Sequence, residues 1–422
     1  MSFASGYLLL LAFGAAMIVI TFLGSRTETY RKTQVGFLAA GRNVPWTLGA
    51  FSIAVSWIWA PALFVSVQEA FQQGIPGIFW FTFPNILCLF IMAPLALRVR
   101  EYLPEGYTQP EWIRRRFDER THKMYLIPFF WYQLMAVTVQ LYVGGSIFHL
   151  LTGVPLQAVM IIILLFTLAY SAISGMRASI ITDFLQYAMI ILGGLLVLPW
   201  TIWSAGGLGA VLKGIGGITG QHTSIFDPGV AFSFGIITTI GLISGVLSDQ
   251  QHWQRAFAIE KSHLRISYIV GGVLFGIVPL SLAALGFLAA NPAVGVSLPQ
   301  GADPSMIGIL VVAKFLPAWA VAAFAVMLLA ALCSVLDSGM VAAASLYAVN
   351  CCPYTSAERS LLNKRFLRES LDENDTIIQA QLDRKVIRRS RIGMIGISAA
   401  GLAVALGVIY TRFTKDPPIN NF

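Results

Sequence analysis

Three aspartates lie inside segments that are otherwise apolar enough to cross a membrane. Asp183 lies in ASIITDFLQYAMIILGGLL, Asp249 in GLISGVLSDQQHWQR and Asp337 in VMLLAALCSVLDSGMVAAASL. An ionisable side chain at the centre of a bilayer costs roughly 3 kcal/mol, so such residues usually face a polar cavity or an ion path. The pattern predicts a membrane protein that moves an ion or a polar solute.

The composition agrees with an integral membrane protein. Hydrophobic residues make up 57% of the chain and charged residues 11%, and the mean hydropathy is +0.73. These values exceed what a water-soluble domain of this length requires. Windows of about 19 apolar residues predict an all-α protein with ten spans, at 6–24, 46–72, 78–97, 124–150, 156–173, 179–203, 233–254, 267–290, 317–349 and 392–411.

The basic residues are distributed very unevenly between the connections. Of the 28 lysines and arginines, 24 lie in the loops that follow the odd-numbered spans, and the remainder are Lys213, Lys314, Arg412 and Lys415. Cytoplasmic loops carry an excess of basic residues. The asymmetry therefore predicts a multi-pass protein of the plasma (inner) membrane with both termini outside the cytoplasm. It also explains the net charge of +8 without any nucleic-acid partner, and leaves membrane lipid as an expected partner.

Two spans carry residues that interrupt a helix at membrane depth. The second span contains Pro61, which removes a backbone donor and frees a carbonyl near Trp57. In the seventh span, Gly241 and Gly245 precede Asp249. Broken helices in corresponding positions are typical of transporters built from inverted repeats, with the binding site at the breaks. The alternative for each single break is a packing kink.

The repeat interpretation divides the chain into five parts. We expect a first helix and inner loop at 1–45, a first five-helix repeat at 46–205, an outer loop at 206–232, a second repeat at 233–411 and an outer tail at 412–422. The second repeat contains a cytoplasmic segment, 351–391, which is predicted to form a solvated helix pair. The first span is expected to remain as a helix and not to be a cleaved leader.

Polar side chains also line one face of two further spans. They are Ser179, Thr182, Asp183 and Gln186 in the sixth span, and Ser334, Asp337, Ser338 and Ser345 in the ninth. The spacing places each set on a single helix face. Hydroxyl and carboxylate oxygens suit a small alkali cation or a proton relay. Hydrogen bonding between helices is the alternative for the hydroxyls, but it explains the aspartates poorly.

These motifs resemble the sodium:solute symporter family, which has a LeuT-like fold of two inverted five-helix repeats. The resemblance rests on AAGRNVPWTLGAFSIAVSWIWAPAL, SAISGMRASIITDFLQYAMIILGG, SDQQHWQRAFA and LCSVLDSGMVAAASLYAVN, in the family's order and spacing. SWIWA followed by SDQQHWQR is most similar to the urea-active transporter branch. The resemblance implies that the chain is not an enzyme and that it moves a small polar solute, with urea or a related amine as candidates.

The resemblance also implies a cation site. The family's main sodium site takes backbone carbonyls from the first broken helix, here Val55 and Ile58, and hydroxyls from a later helix, where Ser334 matches the first. Val335 occupies the position of the second hydroxyl, which puts the sodium site in doubt and leaves sodium or a proton as the coupling ion. Further cation-binding positions on this basis are Asp183, Asp337 and Ser338.

The solute pocket is implied in the same way. Asp249 and Gln250 match positions that line the family's pocket, with Trp57, Trp59 and Trp253 as its walls. Arg255 and Gln254 are expected in an inner-gate network. No cofactor other than the coupling ion is expected, because the sequence contains neither a metal-ligand spacing nor a nucleophile paired with a base.

The second repeat holds four predicted helices where the family has five, so the last core helix is expected to be missing. Two alternatives to cation-coupled symport stay open, the second of which follows from this expectation. One is a membrane sensor, because the same fold precedes histidine-kinase domains in other proteins. The other is a degenerate or truncated transporter-fold protein without transport activity.

Overall fold

The computed structural model describes residues 3–299, 303–367 and 369–415. Within these ranges the chain is helical, apart from loops and one isolated bridge between Val44 and Ile259. In chain order the helices are α1 Phe3–Gly24, α2 Glu28–Lys32, α3 Gln34–Ala39, α4 Trp46–Ser56, α5 Ala60–Tyr102, α6 Gln109–Arg116, α7 Glu119–Thr152, α8 Leu156–Ser174, α9 Met176–Ser204, α10 Gly207–Lys213, α11 Pro228–Val230, α12 Ile236–Ser248, α13 Gln250–Ala258, α14 Leu264–Ala290, α15 Ile307–Phe315, α16 Ala318–Leu346, α17 Ser356–Leu367 and α18 Glu373–Lys415.

Nine helices in the described part of the chain are long and apolar enough to cross a membrane. The sequence predicts ten spans, and the difference lies in α5. This 43-residue helix contains a non-helical residue, Gly74, with φ 61° and ψ −145°, where two helices meet. A Cβ at Gly74 would lie 2.5 Å from the carbonyl oxygens of Ile215 and His222, so the bend and the close approach both require glycine. The predicted second and third spans are thus the two arms of α5, the first preceded by α4.

Both predicted helix breaks are present. Helix α4 ends at Ser56 and α5 begins at Ala60, with Pro61 in its first turn, where proline is tolerated. Helix α12 ends at Ser248 and α13 begins at Gln250. Between them Asp249 caps α13 by accepting a hydrogen bond from the backbone N–H of Gln251.

Helix α16 is the central helix of the molecule. Every residue from Met327 to Leu346 is buried, and the helix packs against α4, α7, α8, α9 and α18. A helix buried on all sides carries polar groups only where they have partners. Its Ser334, Asp337, Ser338 and Ser345 are therefore internal contacts of the protein and not lipid-facing residues.

The segment expected to form a solvated helix pair contains α17 and the first part of α18. Ion pairs join the two helices, between Lys364 and Asp375 at 2.7 Å and between Lys385 and Glu358 at 2.7 Å. Helix α18 continues without a break into the predicted tenth span, so this span and the inner segment form one helix of 43 residues. Residues 416–422 of the predicted outer tail lie outside the described ranges.

Candidate ion and solute sites

Asp183 on α9 is a fully buried carboxylate held by three helices. Its Oδ2 accepts hydrogen bonds from the Ser52 hydroxyl of α4 and from Nη2 of Arg255 on α13, the latter at 2.8 Å. Its Oδ1 accepts from the hydroxyl of Ser334 on α16. Asp183, expected at a cation position, thus binds the guanidinium cation of Arg255.

Arg255 is buried as completely as its partner, with 1% of the side chain exposed. Its other donors reach the Ser52 hydroxyl at 2.8 Å, the Gln251 carbonyl at 3.0 Å and the Ser338 hydroxyl at 2.8 Å. A buried ion pair is stable only when the remaining donors and lone pairs are also satisfied. The bonds of Arg255 meet this condition and connect α4, α9, α13 and α16 through one side chain.

Asp337 lies one turn along α16 from Ser334, in a cage of hydroxyl groups. Its Oδ2 accepts from Tyr170 at 2.8 Å and from Thr182 at 3.1 Å. Its Oδ1 accepts from Ser179 at 2.7 Å and from Ser338 at 3.3 Å. None of the cationic side chains described in the structure forms an ion pair with Asp337.

Ser338 joins the two aspartates into one polar network. Its hydroxyl donates to Asp337 and accepts from Arg255, and it lies 3.3 Å from the Ser179 hydroxyl. The network contains two carboxyl groups and one guanidinium group, so one carboxyl group lacks a charged partner. Charge buried without compensation is costly. The second carboxyl group therefore needs a proton or a metal cation as its partner.

The other residues expected to bind sodium surround the first helix break. Val55 and Ile58 are fully buried, and the Val55 carbonyl accepts a hydrogen bond from the Ile58 N–H at 3.0 Å. Ser52, one turn earlier on α4, shares the Asp183 carboxylate with Ser334, so the break and α16 meet at this carboxylate. The oxygen ligands expected for sodium are one hydroxyl fewer than in the family pattern, because the residue after Ser334 is the buried Val335.

A small cavity lies beside the first break. Its volume is about 110 Å³, several times the ~30 Å³ share of one water molecule in the liquid. Its lining consists of Trp57, Trp59, Pro61, Ala62, Phe81, Asn85, Tyr132 and Leu242. The indole N–H groups of Trp57 and Trp59 are buried and have no hydrogen-bond partner among the described residues. Buried donors without partners are uncommon, and both of these belong to residues that line the cavity.

Asp249, at the second break, is not among the residues that line this cavity, but His252 connects it to the lining residue Trp57. Its Oδ1 accepts from the Gln133 side chain of α7 at 3.1 Å and from the Gln251 N–H at 2.9 Å. Its Oδ2 has no hydrogen-bond partner in the described ranges and lies 3.9 Å from Nε2 of His252. The His252 ring contacts the Trp57 ring edge-on, with centroids 5.0 Å apart. The two breaks therefore meet at Trp57, His252 and Asp249.

Gln250 and Trp253 are not among the residues that line the cavity. The Gln250 side chain bonds to the Tyr107 carbonyl, the Gln109 N–H and the Ser345 hydroxyl. The indole of Trp253 donates to the Leu247 carbonyl at 2.9 Å. In this structure both residues connect α13 to its neighbours.

Several residues of these sites were not singled out by the sequence analysis: Ser52, Tyr132, Gln133 and Tyr170. A usable signal exists for two of them. Gln133 shares a face of α7 with Gln140, seven residues later, whose side chain accepts from the Ala60 N–H at the start of α5. Ser52 likewise lies one turn before Ser56 on α4. For the two tyrosines the sequence gives no comparable signal.

Comparison with known proteins agrees with this geometry. A family model described as "Sodium:solute symporter family" matches residues 37–363, which is most of the chain. The chain belongs to the sodium:solute symporter family. The resemblance that its motifs carry is thereby confirmed, and this membership places the chain among transporters and not among enzymes.

Urea transporters are among the relatives of this chain. The urea-proton symporter DUR3 of Oryza sativa subsp. japonica is 26% identical over 325 residues, which cover 68% of this chain and 45% of that protein. The urea active transporter of Saccharomyces cerevisiae is 26% identical over 319 residues, 71% of this chain and 43% of that protein. The chain therefore spans less than half the length of these curated relatives.

A solved structure shares the fold. A Na+-coupled sialic acid symporter, in a substrate-bound outward-open state, superposes with a TM-score of 0.75 at 16% sequence identity, covering 96% of this chain and 82% of that one. The expected LeuT-like, all-α membrane fold is confirmed.

Proposed function

We propose that this symporter-family chain accumulates urea, or a closely related small amide, by coupling its entry to protons. The observation that carries the proposal is the hydroxyl cage around Asp337, a carboxyl group that lacks a cationic partner while its neighbour Asp183 is paired with Arg255. Asp337 is the proton carrier in this proposal, and Asp183 holds Arg255 in the network that connects the two.

The cavity size supports a solute of a few heavy atoms. A volume of about 110 Å³ accommodates urea. The two free indole N–H groups of Trp57 and Trp59 are donors for a carbonyl oxygen. The unpartnered Oδ2 of Asp249 is an acceptor for amide N–H groups. A planar amide with one acceptor and several donors complements this set.

Three features favour a proton over sodium. The family's second hydroxyl ligand is replaced by Val335, and a small hard cation needs a full oxygen shell. Asp183 already has a guanidinium partner, which is always charged. Each of the four hydroxyl groups around Asp337 can also accept a hydrogen bond, so the cage can hold this carboxyl group in its protonated form without a metal. The urea–proton coupling named for the rice relative agrees with this preference.

The broken helices provide the moving parts. In transporters with inverted repeats, rocking of one repeat against the other exposes a central site to each side in turn. Asp183 and Arg255 connect four helices at this site, so rearrangement of their hydrogen bonds is the expected accompaniment of rocking. The charge asymmetry further supports a topology with both termini outside, as part of the same proposal.

Uptake of radiolabelled urea by the purified chain in proteoliposomes tests the proposal. We expect accumulation when a proton gradient, acidic outside, is imposed, and no accumulation with a sodium gradient at equal pH. Thiourea and acetamide should compete with urea, while glucose and proline should not. Sodium-driven accumulation, or accumulation of glucose in place of urea, would contradict the proposal.

A further inference from the structure

A groove lies where the first and last membrane helices leave the apolar region. It has a volume of about 730 Å³ and is formed by α2 and the turn after it on one side and by α18 on the other. Five of its lining residues are cationic and one is anionic: Arg31, Lys32, Arg384, Arg388 and Arg391, with Asp383. None of these lining residues forms a hydrogen bond with Asp183 or Asp337.

Most of this positive charge has no internal counter-charge. Arg384 and Arg388 form neither an ion pair nor a hydrogen bond with any described residue, and both are exposed. Arg31 donates to the Phe22 carbonyl at 2.9 Å and Arg391 to the Ala172 carbonyl at 3.1 Å. Lys32 alone is paired with a carboxylate, that of Glu28 outside the groove.

The single carboxylate in the groove offsets only one of these cations. Asp383 is buried and accepts hydrogen bonds from the Gln34 N–H at 2.9 Å and from the Gln379 side chain at 2.8 Å. Its role is to attach α18 to the start of α3. With five cations and one carboxylate, the lining of the groove carries a net charge of +4.

The polarity of the groove changes along α18. Arg384, Arg388 and Arg391 are spaced four and three residues apart, so they share one face of the helix. The same face continues with Ile392 and Ile395, which line the groove and are 49% and 57% exposed. From Arg388 to Ile395 the helix rises about 10 Å. A cationic head and an exposed aliphatic floor in one groove match an amphiphile with an anionic head.

We propose that this groove binds an anionic phospholipid, with its phosphate among Arg384, Arg388 and Arg391 and its acyl chains along Ile392 and Ile395. The site is independent of the proposed transport activity. A water-soluble protein is a poorer candidate, because Ile392 and Ile395 lie in the predicted tenth span and so within the membrane. Inorganic phosphate would satisfy the arginines but leave Ile392 and Ile395 uncovered.

Native mass spectrometry of the detergent-purified chain, titrated with phosphatidylglycerol or with phosphatidylcholine, tests the site. We expect the first phosphatidylglycerol molecule to bind with a dissociation constant at least about tenfold lower than that of phosphatidylcholine, because several cations attract one anionic head. The double variant R384Q/R388Q should weaken phosphatidylglycerol binding on the order of tenfold. It should leave phosphatidylcholine binding unchanged, which also reports that the variant is folded.

Two further variants separate the site from charge in general. R384K/R388K retains the charge and should retain most of the binding. R120Q/R265Q removes the same charge from two exposed arginines outside the groove, and should bind phosphatidylglycerol like the unmodified chain. Equal weakening in R120Q/R265Q, or equal affinity for the two lipids, would overturn the proposal. Displacement of the bound lipid by an equal concentration of inorganic phosphate would overturn the lipid assignment.

Discussion

One guanidinium nitrogen of Arg255 donates both to the Asp183 carboxylate on α9 and to the Ser338 hydroxyl on α16, at 2.8 Å in each case. Ser338 in turn donates to Asp337, so Arg255 and Asp337 share one hydroxyl group. A change in the charge of Asp337 alters the hydrogen bonding of that hydroxyl and thereby reaches the ion pair. This relationship links the proposed proton site to the helices of both breaks.

Asp183→Asn should destabilise the chain more than the double change D183N/R255Q. It leaves Arg255 charged and buried without a carboxylate, which costs roughly 3–5 kcal/mol. The double variant D183N/R255Q should recover part of this loss, because no unpaired charge remains. Thermal unfolding in detergent measures both. A D183N variant as stable as the unmodified chain would contradict the buried pairing.

Asp337→Asn should abolish proton-driven accumulation of urea while preserving exchange of urea across the membrane. The amide keeps the size of the carboxyl group and its place in the hydroxyl cage, but it cannot take up a proton. Counterflow of radiolabelled urea measures exchange, and gradient-driven uptake measures coupling. The matched control is Ser345→Ala, a loss of one hydroxyl on the same helix at a position bonded to Gln250. Proton-driven accumulation of urea by S345A should persist.

Val335→Ser should introduce a dependence on sodium. The change adds a second hydroxyl beside Ser334, which completes the family's oxygen pattern at the first break. We expect sodium to stimulate urea uptake by V335S in proteoliposomes, with no such effect in V335A, which opens a similar space without an oxygen. Identical sodium responses in the two variants would argue against a site at this position.

Trp59→Phe should raise the KM for urea by roughly 2- to 12-fold, the range expected for the loss of one hydrogen bond worth about 0.5–1.5 kcal/mol. Phenylalanine keeps an aromatic ring but lacks the pyrrole half of the indole, including its unpartnered N–H, so the comparison needs a tryptophan truncated in the same way elsewhere. Trp200→Phe is the control, since Trp200 lies on α9 against Trp319 and not at the cavity. An equal effect of both changes on KM would place urea elsewhere.

Gly74→Ala should destabilise the chain more than Gly153→Ala. Gly153, with φ 73° and ψ −2°, lies in the left-handed helical region, where alanine costs roughly 1–2 kcal/mol. Gly74, with φ 61° and ψ −145°, lies near a region that is essentially restricted to glycine, so its backbone cost is higher. At Gly74 the added Cβ also meets two carbonyl oxygens at 2.5 Å, whereas at Gly153 nothing lies within 4 Å. Thermal unfolding of the two variants compares them. Equal losses would mean that the bend in α5 relaxes easily.

Much of the fold could be predicted from local sequence. Pro61 and the glycines before Asp249 identify both breaks, because helix interruption depends on residues within a turn or two. The polar faces of α9 and α16 follow from helical spacing alone. The bend at Gly74 was not foreseen, since a glycine in an apolar segment does not by itself reveal a positive φ.

Side-chain partners across the fold were harder to predict. The inner-gate role of Arg255 stays a prediction, but its pairing with Asp183, 72 residues away in the chain, was not foreseen. Gln250 was expected in the solute pocket, and its side chain bonds to the loop before α6. Both outcomes depend on the packing of helices that are distant in sequence. Local spacing shows which face of a helix is polar, but it does not show which helix that face meets.

The most direct test of proton coupling follows the proton itself. Urea is added to proteoliposomes that hold a pH-sensitive dye, with no imposed ion gradient and no sodium. Proton-coupled entry should acidify the lumen when urea is added to liposomes with the unmodified chain, and D337N liposomes should show no acidification. Urea entry into the unmodified liposomes without any change in internal pH would contradict proton coupling at Asp337.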